Sequence, residues 1–370
     1  MANIVLAGGG TAGHVNPLLA TANAIREESP GSHVVAVGTD AGLETTLVPE
    51  AGIALETIER VPLPRSISFD IVRLPMKIRA ATTSAGAILD RHKADVVIGF
   101  GGYVSTPVYL AAKKRKIPVV VHEGNARPGI ANKVGARFAA TVALTFPSTA
   151  LRASKGITVC VGLPLKREIE QLAARTGGRK ATRRDAAARF GLNPDEPILL
   201  ITGGSSGARH LNEVFSQTAV DIRAAGIQVI HVTGRDKDGP VRESAPDAGY
   251  VVLDYLDDME NAYAAADLAV SRAGAGMVAE LSALGLPAVF VPLPIGNGEQ
   301  ALNAKDVVNA GGAIMIDNKN LDANAVRQRI IPLFEGDTLE KMAERSTGVS
   351  PLNAASRLAG IARHLAEAVR

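Results

Sequence analysis

Cysteine and tryptophan are nearly absent from this sequence. Cys160 is the only cysteine among 370 residues, so the chain forms no internal disulfide, and a reducing compartment fits this composition. Tryptophan is missing and aromatic residues make up 4% of the chain, which leaves few platforms for stacking nucleic-acid bases. We therefore expect neither a disulfide scaffold nor a nucleic-acid partner.

Long apolar runs and a leader segment are also missing. No stretch approaches the roughly 20 apolar residues that a membrane-spanning helix needs. The N-terminus enters a strand pattern directly, without a charged segment or a small-residue cleavage site, so we expect no signal peptide. We therefore expect a protein that does not cross a membrane.

Several nucleotide- and metal-binding motifs do not occur. The sequence has no Gly-Lys-Ser/Thr, which excludes a P-loop NTPase, and no Cys/His spacing typical of zinc sites. Asp257 and Asp258 are adjacent rather than spaced as Asp-x-Asp, which makes them a poor metal site for a nucleotide sugar. A leaving phosphate would then have to be stabilised by helix dipoles and cations instead of a metal ion.

One phosphate-loop pattern, in contrast, occurs twice. The apolar run Ile4–Ala7 leads into Gly8–His14, and Ile198–Ile201 leads into Gly203–Ala208, with helical patterns from about Leu18 and Asn212. Glycines let the backbone approach an anion, and the following helix N-terminus favours negative charge. Strand and helix patterns alternate through most of the chain. The predicted fold class is α/β, with two Rossmann-like doubly wound parallel sheets facing a central cleft.

The domain boundary is predicted where the last N-terminal strand pattern ends in Gly162-Leu163-Pro164. The expected domains are residues 1–162 and 163–350, followed by a terminal segment, 351–370. This last segment is helical with one apolar face.

Polar and glycine residues follow several of the predicted strands. Gly101, Gly102 and Tyr103 form one turn, and His122 to Asn125 follow the next strand. In the second half, Glu280 lies one helical turn beyond a glycine-rich joint, where a carboxylate is suited to accept both hydroxyls of a ribose. Open α/β sheets bind ligands at these carboxyl ends of strands.

Taken together, the motifs closely resemble the MurG family of bacterial glycosyltransferases over almost the whole chain. In order they are Gly8-Gly9-Gly10-Thr11-Ala12-Gly13-His14, Gly101-Gly102-Tyr103-Val104-Ser105, His122-Glu123-x-Asn125, Gly203-Gly204-Ser205-x-Gly207-Ala208, Arg272-x-Gly274-Ala275 to Glu280, and Gln300-x-x-Asn303-Ala304. The resemblance implies a metal-independent, inverting transferase of the GT-B fold that needs no cofactor. It also implies that the terminal segment, 351–370, packs back on the N-terminal domain. The transferase would move N-acetylglucosamine from UDP-GlcNAc to the 4-hydroxyl of the muramyl sugar of lipid I, giving lipid II in peptidoglycan synthesis.

The resemblance also implies residue roles. The C-terminal domain would bind the donor, with Ser205 at the pyrophosphate, Leu256 at the uracil, Glu280 at the ribose and Gln300 at the sugar. Gly101, Gly102 and Tyr103 would lie on the acceptor side. The implied donor contacts are Thr11, Ala12, Gly13, Asn125, Lys166, Arg167, Ser205, Leu256, Ala275, Gly276, Met277, Val278, Ala279, Glu280, Glu299 and Gln300.

Two positions depart from the family pattern. Lys166 stands where relatives often have arginine, with Arg167 next to it, so either residue is a candidate for the phosphate contact. Lysine lacks the planar fork of arginine. Glu299 stands where relatives often have glutamine, which affects how sugar hydroxyls are held.

The acceptor hydroxyl is a weak nucleophile and needs a general base. His14 has a suitable intrinsic pKa and lies at the first glycine loop, and Glu123 is the main rival. In the alternative interpretation, His14 only hydrogen-bonds a diphosphate.

Charge is distributed unevenly. Residues 60–116 hold 11 basic and three acidic residues. Apolar residues are interspersed with Arg73, Lys77 and Arg79, so we predict that this stretch docks on the anionic cytoplasmic leaflet of the bacterial cell membrane. An ordinary helix packed on the sheet is the competing interpretation. The apolar members are Leu63, Ile67, Phe69, Ile71, Leu74, Met76 and Ile78.

Other functions stay open at this point. Gly8-x-Gly10-x-x-Gly13 also fits a dinucleotide fingerprint, with Asp40 as the acidic partner, and so allows an NAD-dependent oxidoreductase. The fold also allows another UDP-sugar transferase, a UDP-GlcNAc epimerase or a non-catalytic nucleotide-sugar sensor. Acceptor-dependent release of UDP would separate the transferase from the others.

Overall fold

The chain divides into two compact units. The computed structural model describes residues 1–61, 70–175, 177–204, 207–246, 248–294 and 298–368, with only the backbone described at 70–73. The first unit contains Met1–Lys166 together with Leu352–Arg370, and the second contains Arg167–Pro351.

The first unit is built on a seven-stranded parallel sheet of order β3-β2-β1-β4-β5-β6-β7. Valine, isoleucine and leucine dominate the central strands, which are buried on both faces, as expected for a parallel sheet covered by helices. The strands are β1 (Asn3–Ala7), β2 (His33–Gly38), β3 (Ala54–Thr57), β4 (Val96–Gly99), β5 (Val119–Glu123), β6 (Thr141–Leu144) and β7 (Ile157–Cys160).

Helices cover both faces of this sheet. α1 packs on one face through Leu18, Ala22 and Ile25. The other face holds α3 and α4, with Leu89 and Tyr109 in its core. The helices are α1 (Ala12–Glu28), α2 (Glu44–Glu50), α3 (Asp70–Arg91), α4 (Ser105–Lys114) and α5 (Ile130–Gly135).

The second unit repeats the plan with a six-stranded parallel sheet of order β10-β9-β8-β11-β12-β13. Its core includes Phe215 and Ile222 packed against the central strands. The strands are β8 (Ile198–Thr202), β9 (Gln228–Val232), β10 (Tyr250–Leu253), β11 (Leu268–Ser271), β12 (Ala288–Phe290) and β13 (Ala313–Met315). The helices are α6 (Arg167–Ala174), α7 (Arg183–Arg189), α8 (Arg209–Gln217), α9 (Ala219–Ala224), α10 (Gly239–Ser244), α11 (Met259–Ala265), α12 (Ala275–Ala283), α13 (Glu299–Asn303), α14 (Lys305–Ala310), α15 (Ala323–Ala325) and α16 (Thr338–Ser346).

The final helix, α17 (Ala354–Ala368), returns to the first unit. Leu358, Ala359, Ala362 and Ala366 join the core that α1 forms on the sheet. The apolar face that was read from the sequence of this segment is therefore the face that is buried.

Two doubly wound parallel sheets confirm the predicted fold class. The two helices predicted to start at about Leu18 and Asn212 start earlier in the structure. α1 begins at Ala12 and α8 begins at Arg209. The first turns of these helices follow the glycine loops directly and carry mostly small or polar residues, so apolar periodicity marks them only weakly. Among the described residues, no helix is long and apolar enough to span a bilayer.

Candidate active site

Both glycine loops lie at points where the strand order reverses. The first follows β1, which lies between β2 and β4, and the second follows β8, which lies between β9 and β11. At such switch points the connections leave in opposite directions and open a crevice at the carboxyl ends of the strands. Each unit therefore has a site of the kind that binds nucleotides or sugars.

The first glycine loop, residues 8–11, meets a second glycine turn in the same unit. Gly10 has φ +90°, and Thr11 is extended where α1 begins. A Cβ added to Gly102 would lie 2.8 Å from the Gly9 carbonyl oxygen. Only glycine fits this approach, which places the predicted acceptor turn Gly101–Tyr103 against the first loop.

His14 is held between these two turns. Its Nδ1 lies 3.2 Å from the Gly9 carbonyl oxygen and 3.3 Å from Thr11 Oγ1. Because a carbonyl only accepts, the bond to Gly9 requires the hydrogen on Nδ1, and the neutral ring then carries its lone pair on Nε2. A Cβ added to Gly101 would lie 3.2 Å from Nε2, so this nitrogen is directed at the acceptor turn.

Ser105 fixes the geometry of the acceptor turn. This buried hydroxyl lies 2.6 Å from the Gly101 carbonyl oxygen and 3.1 Å from the Ala7 carbonyl oxygen, and it accepts a bond from the Gly101 N–H. It therefore ties the turn to the end of β1. Tyr103 is partly exposed beside it, with the Arg60 guanidinium 5.1 Å from the centre of its ring.

Glu123, the rival base, is directed into the protein. Its carboxylate accepts bonds from the Asn125 N–H, the Gly129 N–H and the Asn132 side-chain amide, each at 2.9 Å. Asn132 also accepts from the buried Tyr109 hydroxyl at 2.9 Å. Glu123 therefore shapes the loop that carries Asn125, and the network around Asn132 was not predicted from the sequence.

His122 is a buried neighbour of this network. Its Nε2 donates to the Gly162 carbonyl oxygen at 3.0 Å. Burial, with a smaller contribution from the nearby His14, lowers the pKa of His122 to about 4 against the opposing effect of the Gly162 bond. The ring is neutral at physiological pH and acts as a structural donor.

Glu44 is a further residue that the sequence reasoning missed. Its fully buried carboxylate accepts bonds from the Gly10 N–H at 2.7 Å and from the Thr39 N–H and hydroxyl at 3.1 and 2.8 Å. Burial raises the pKa of this carboxyl, but the Gly10 and Thr39 bonds outweigh it and lower the pKa below its usual value. Asp40, the acidic residue considered for a dinucleotide site, is exposed nearby.

In the second unit, two positions of the second glycine loop have room only for glycine. A Cβ on Gly203 would lie 2.2 Å from the Ala208 nitrogen, and one on Gly207 would lie 2.2 Å from the Thr233 carbonyl oxygen. The loop leads into α8, whose N-terminus favours an anion. Ser205, predicted at the pyrophosphate, lies outside the described residues.

Glu280 lies in the second turn of α12 and is oriented by a tyrosine. The buried Tyr263 hydroxyl donates to Glu280 Oε2 at 2.7 Å. Burial and the adjacent carboxylate raise the pKa of Tyr263 well above its usual value, so it remains a donor. The partly exposed Ala275, Gly276 and Met277 lead up to Glu280, whereas the side chains of Val278 and Ala279 are buried.

Gln300 connects two strand-to-helix joints. Its Oε1 accepts bonds from the Leu293 N–H at 2.9 Å and the Ala273 N–H at 3.2 Å. The side-chain oxygen is thus engaged with backbone, which leaves the amide nitrogen as the group suited to a ligand hydroxyl. Glu299 is exposed next to it.

The remaining predicted residues lie at loops and at the unit boundary. Leu256 is half-buried after β10, beside Tyr255, over whose ring the Arg235 guanidinium lies at 4.3 Å. Lys166 is the last residue of the Met1–Lys166 segment of the first unit, and Arg167 is the first residue of the second unit and of α6. Both residues are exposed. The structure thus groups His14 and Thr11 with Gly101 in one unit, and Glu280 and Gln300 in the other.

Comparison with known proteins identifies relatives of both units. The glycosyltransferase family 28 N-terminal domain matches residues 4–144, and the family 28 C-terminal domain matches residues 198–360. A UDP-N-acetylglucosamine--N-acetylmuramyl-(pentapeptide) pyrophosphoryl-undecaprenol N-acetylglucosamine transferase from Paenarthrobacter aurescens (strain TC1) is 48% identical over 365 residues, covering 97% of this chain and 95% of the relative. The protein of the same name from Streptomyces coelicolor is 50% identical over 333 residues, covering 90% and 89%.

A solved structure resembles the whole chain. The crystal structure of Acinetobacter baumannii MurG has 30% sequence identity and a TM-score of 0.79, covering 98% of this chain and 100% of that one. This similarity confirms the predicted GT-B class.

Proposed function

The chain belongs to glycosyltransferase family 28 and, within it, to the MurG transferases, and from this membership we propose that it converts lipid I to lipid II. The reaction is the transfer of N-acetylglucosamine from UDP-GlcNAc to the 4-hydroxyl of the muramyl sugar of an undecaprenyl-linked acceptor. The observation that carries the proposal is 48% identity over 365 residues to a transferase named for this reaction. The oxidoreductase, epimerase and sensor alternatives have no comparable support.

The donor belongs to the second unit in this proposal. Glu280, oriented by Tyr263, accepts the ribose hydroxyls, and the Gln300 amide donates to the sugar. The N-terminus of α8 and the residues at the unit boundary stabilise the diphosphate as charge develops on leaving UDP. Lys166 and Arg167 are both exposed and remain alternative phosphate contacts.

We assign the general base to His14. The acceptor oxygen bonds to C1 of the sugar as the bond from C1 to UDP breaks, and the hydroxyl proton passes to Nε2. This nitrogen carries the lone pair because Nδ1 donates to Gly9. Glu123 is less suited, because its oxygens already accept three N–H bonds within the first unit.

The first unit presents a basic, partly apolar surface that suits the anionic cytoplasmic leaflet. Met76 is 69% exposed on α3. A cavity of about 440 Å³ between α3 and α4 combines apolar walls with cationic rims. Such a surface draws the enzyme to acidic lipids while the acceptor lipid stays in the bilayer. The cavity is lined by Pro75, Ile78, Arg79, Thr82, Leu110, Lys113 and Lys114. Leu63, Ile67 and Phe69 lie outside the described residues.

The decisive experiment is transfer of labelled N-acetylglucosamine from UDP-GlcNAc to a lipid I analogue with EDTA present. We expect acceptor-dependent product and release of UDP. UDP-GlcNAc binding without transfer to this acceptor would reject the proposed reaction.

The base assignment is tested with a His14→Ala variant. We expect kcat to fall by about 10²- to 10⁴-fold, the usual contribution of general base catalysis, with donor affinity retained. Glu123→Gln is the comparison for the rival base. Near-normal turnover by a folded His14→Ala variant would exclude the proposed role.

A further inference from the structure

The carboxylate of Glu44 lies next to the first glycine loop and has no role in the mechanism described so far. It is fully buried, and it accepts hydrogen bonds from the loop through Gly10 and from the end of β2 through Thr39. A buried charge is costly unless it is hydrogen-bonded, so three donors at one carboxylate indicate a site built around it.

Three glycines make the room that this side chain occupies. A Cβ added to Gly9, Gly38 or Gly42 would lie 2.4, 2.6 or 2.3 Å from atoms of Glu44. Gly9 belongs to the first loop, Gly38 ends β2, and Gly42 lies in the turn just before α2. Any side chain at these positions would displace the Glu44 side chain, so its position is set from several directions.

One peptide group connects Glu44 to His14. The Gly10 N–H, which donates to Glu44 Oε2 at 2.7 Å, and the Gly9 carbonyl, which accepts from His14 Nδ1 at 3.2 Å, belong to the same planar peptide. Fixing one end of this plane fixes the other. A carboxylate at the N–H end also polarises the peptide and makes its carbonyl a better acceptor.

We propose that Glu44 is a positioning residue for the transfer reaction. It holds the Gly9–Gly10 peptide so that the Gly9 carbonyl keeps His14 in the Nδ1–H tautomer, with Nε2 directed at Gly101. When Nε2 takes the acceptor proton, the aligned peptide and carboxylate stabilise the positive imidazolium. This inference rests on the proposed role of His14 as base.

The test compares Glu44→Gln and Glu44→Asp with the wild type. In the glutamine variant, an NH₂ group must face either the Gly10 N–H or the Thr39 N–H, so one bond is lost without a change in size. The aspartate variant keeps the charge but is shorter by one methylene. For each variant we expect kcat to fall by about 10- to 100-fold with the KM for UDP-GlcNAc unchanged. Removing a hydrogen-bond partner that orients a functional side chain typically has an effect of this size.

A spectroscopic readout separates positioning from general structural damage. We expect the ¹⁵N signals of the His14 ring, assigned with a His14→Gln variant, to report the Nδ1–H tautomer in the wild type. In a folded Glu44 variant they should report a mixture of tautomers. A wild-type ring protonated mainly on Nε2, or a folded Glu44 variant with unchanged tautomer and kcat, would overturn the inference. A wild-type ring protonated on Nε2 overturns the inference even where both variants fail to fold.

The experiments distinguish failure of the His14 base assignment from failure of the Glu44 inference. If His14→Ala retains turnover, His14 is not the base, whatever the Glu44 variants do. The tautomer measurement then tests the Glu44 connection by itself.

Discussion

At the residue scale, the side chains that carry the proposed chemistry are oriented by neighbouring groups. His14 is bonded to a loop carbonyl, Glu280 to Tyr263, and Gln300 to two backbone N–H groups. In each case this hydrogen bond fixes the direction in which the side chain points its remaining polar atom. Catalytic geometry improves when side chains are held before substrate arrives.

Removing the Tyr263 hydroxyl should weaken donor binding. In Tyr263→Phe, Glu280 loses a charge-assisted bond of 2.7 Å, and we expect UDP affinity to fall about tenfold, or about 1.4 kcal/mol. Calorimetric titration with UDP measures the change, while kcat at saturating donor should hold.

Tyr250→Phe is the matched control in the same unit. Its hydroxyl bonds to the buried His231 at 3.0 Å in the core of the sheet. This variant should lower stability without changing UDP affinity. Equal affinity of wild type and Tyr263→Phe would contradict the proposed ribose contact.

The sequence predicts the loop residues of the candidate site better than the buried residues that hydrogen-bond to them. The glycine loops and Glu280 follow strand patterns and are visible as motifs, whereas Tyr263 lies on α11 among apolar residues with nothing to mark it. Glu44 begins a short helix, where an acidic residue is expected simply to complement the helix dipole. Its contacts with Gly10 depend on tertiary structure, which no local pattern encodes.

At the element scale, α3 and α4 carry the surface proposed to meet the membrane. Strand periodicity predicted the sheets because buried parallel strands are almost purely apolar. Within the basic stretch 60–116, residues 62–69 lie outside the described part of the chain. What is described places Lys77 and Arg79 on α3 and Lys113 and Lys114 on α4.

Reversing charges on α3 should weaken binding to anionic vesicles. For Lys77→Glu with Arg79→Glu, we expect at least a tenfold loss, because each basic residue near an acidic surface contributes about 1 kcal/mol. Sedimentation with phosphatidylglycerol vesicles measures binding, and turnover of a short-chain acceptor in solution should hold.

The control is Lys319→Glu with Arg329→Glu. Both residues are exposed in the second unit, and the pair changes net charge by the same amount. Vesicle binding that drops equally in both double variants would assign the effect to net charge and reject a specific α3 surface.

At the scale of the whole molecule, two buried histidines make stability sensitive to acid. Burial lowers the pKa of His122 to about 4 and that of His231 to about 3. The unfolded chain binds protons at an ordinary histidine pKa of about 6.5, so it takes up more protons than the native state below that pH. Stability is therefore complete above about pH 6.5 and declines as pH falls toward 4.

Between pH 7 and pH 5 we expect a loss of about 2 kcal/mol for each of these histidines. Urea unfolding followed by circular dichroism measures it, and ring NMR should find both histidines uncharged at pH 5.5. In a His231→Gln variant, the free energy of unfolding should depend less steeply on pH than in the wild type. The control is His364→Asn at an exposed site, which should keep the pH dependence of the wild type. A pH-independent wild type would contradict this account.

The last helix is the second whole-molecule feature. Leu358 on α17 is fully buried in the core of the first unit, so Leu358→Ala should cost about 2–5 kcal/mol of unfolding free energy. Arg363→Ala, on the exposed side of the same helix, should be near neutral. Equal unfolding midpoints for the two variants would reject a stabilising role for α17.

The return of α17 also has a consequence for biosynthesis. Leu18, Ala22 and Ile25 on α1 belong to a core that α17 completes, and about 185 residues of the second unit are translated in between. At typical elongation rates of about 5–20 residues per second, the ribosome needs roughly 10–40 seconds for that stretch. During this interval the nascent first unit has an uncovered apolar face, which makes it a natural client for chaperones. The second unit, synthesised as one continuous segment, is then able to complete its fold before the first.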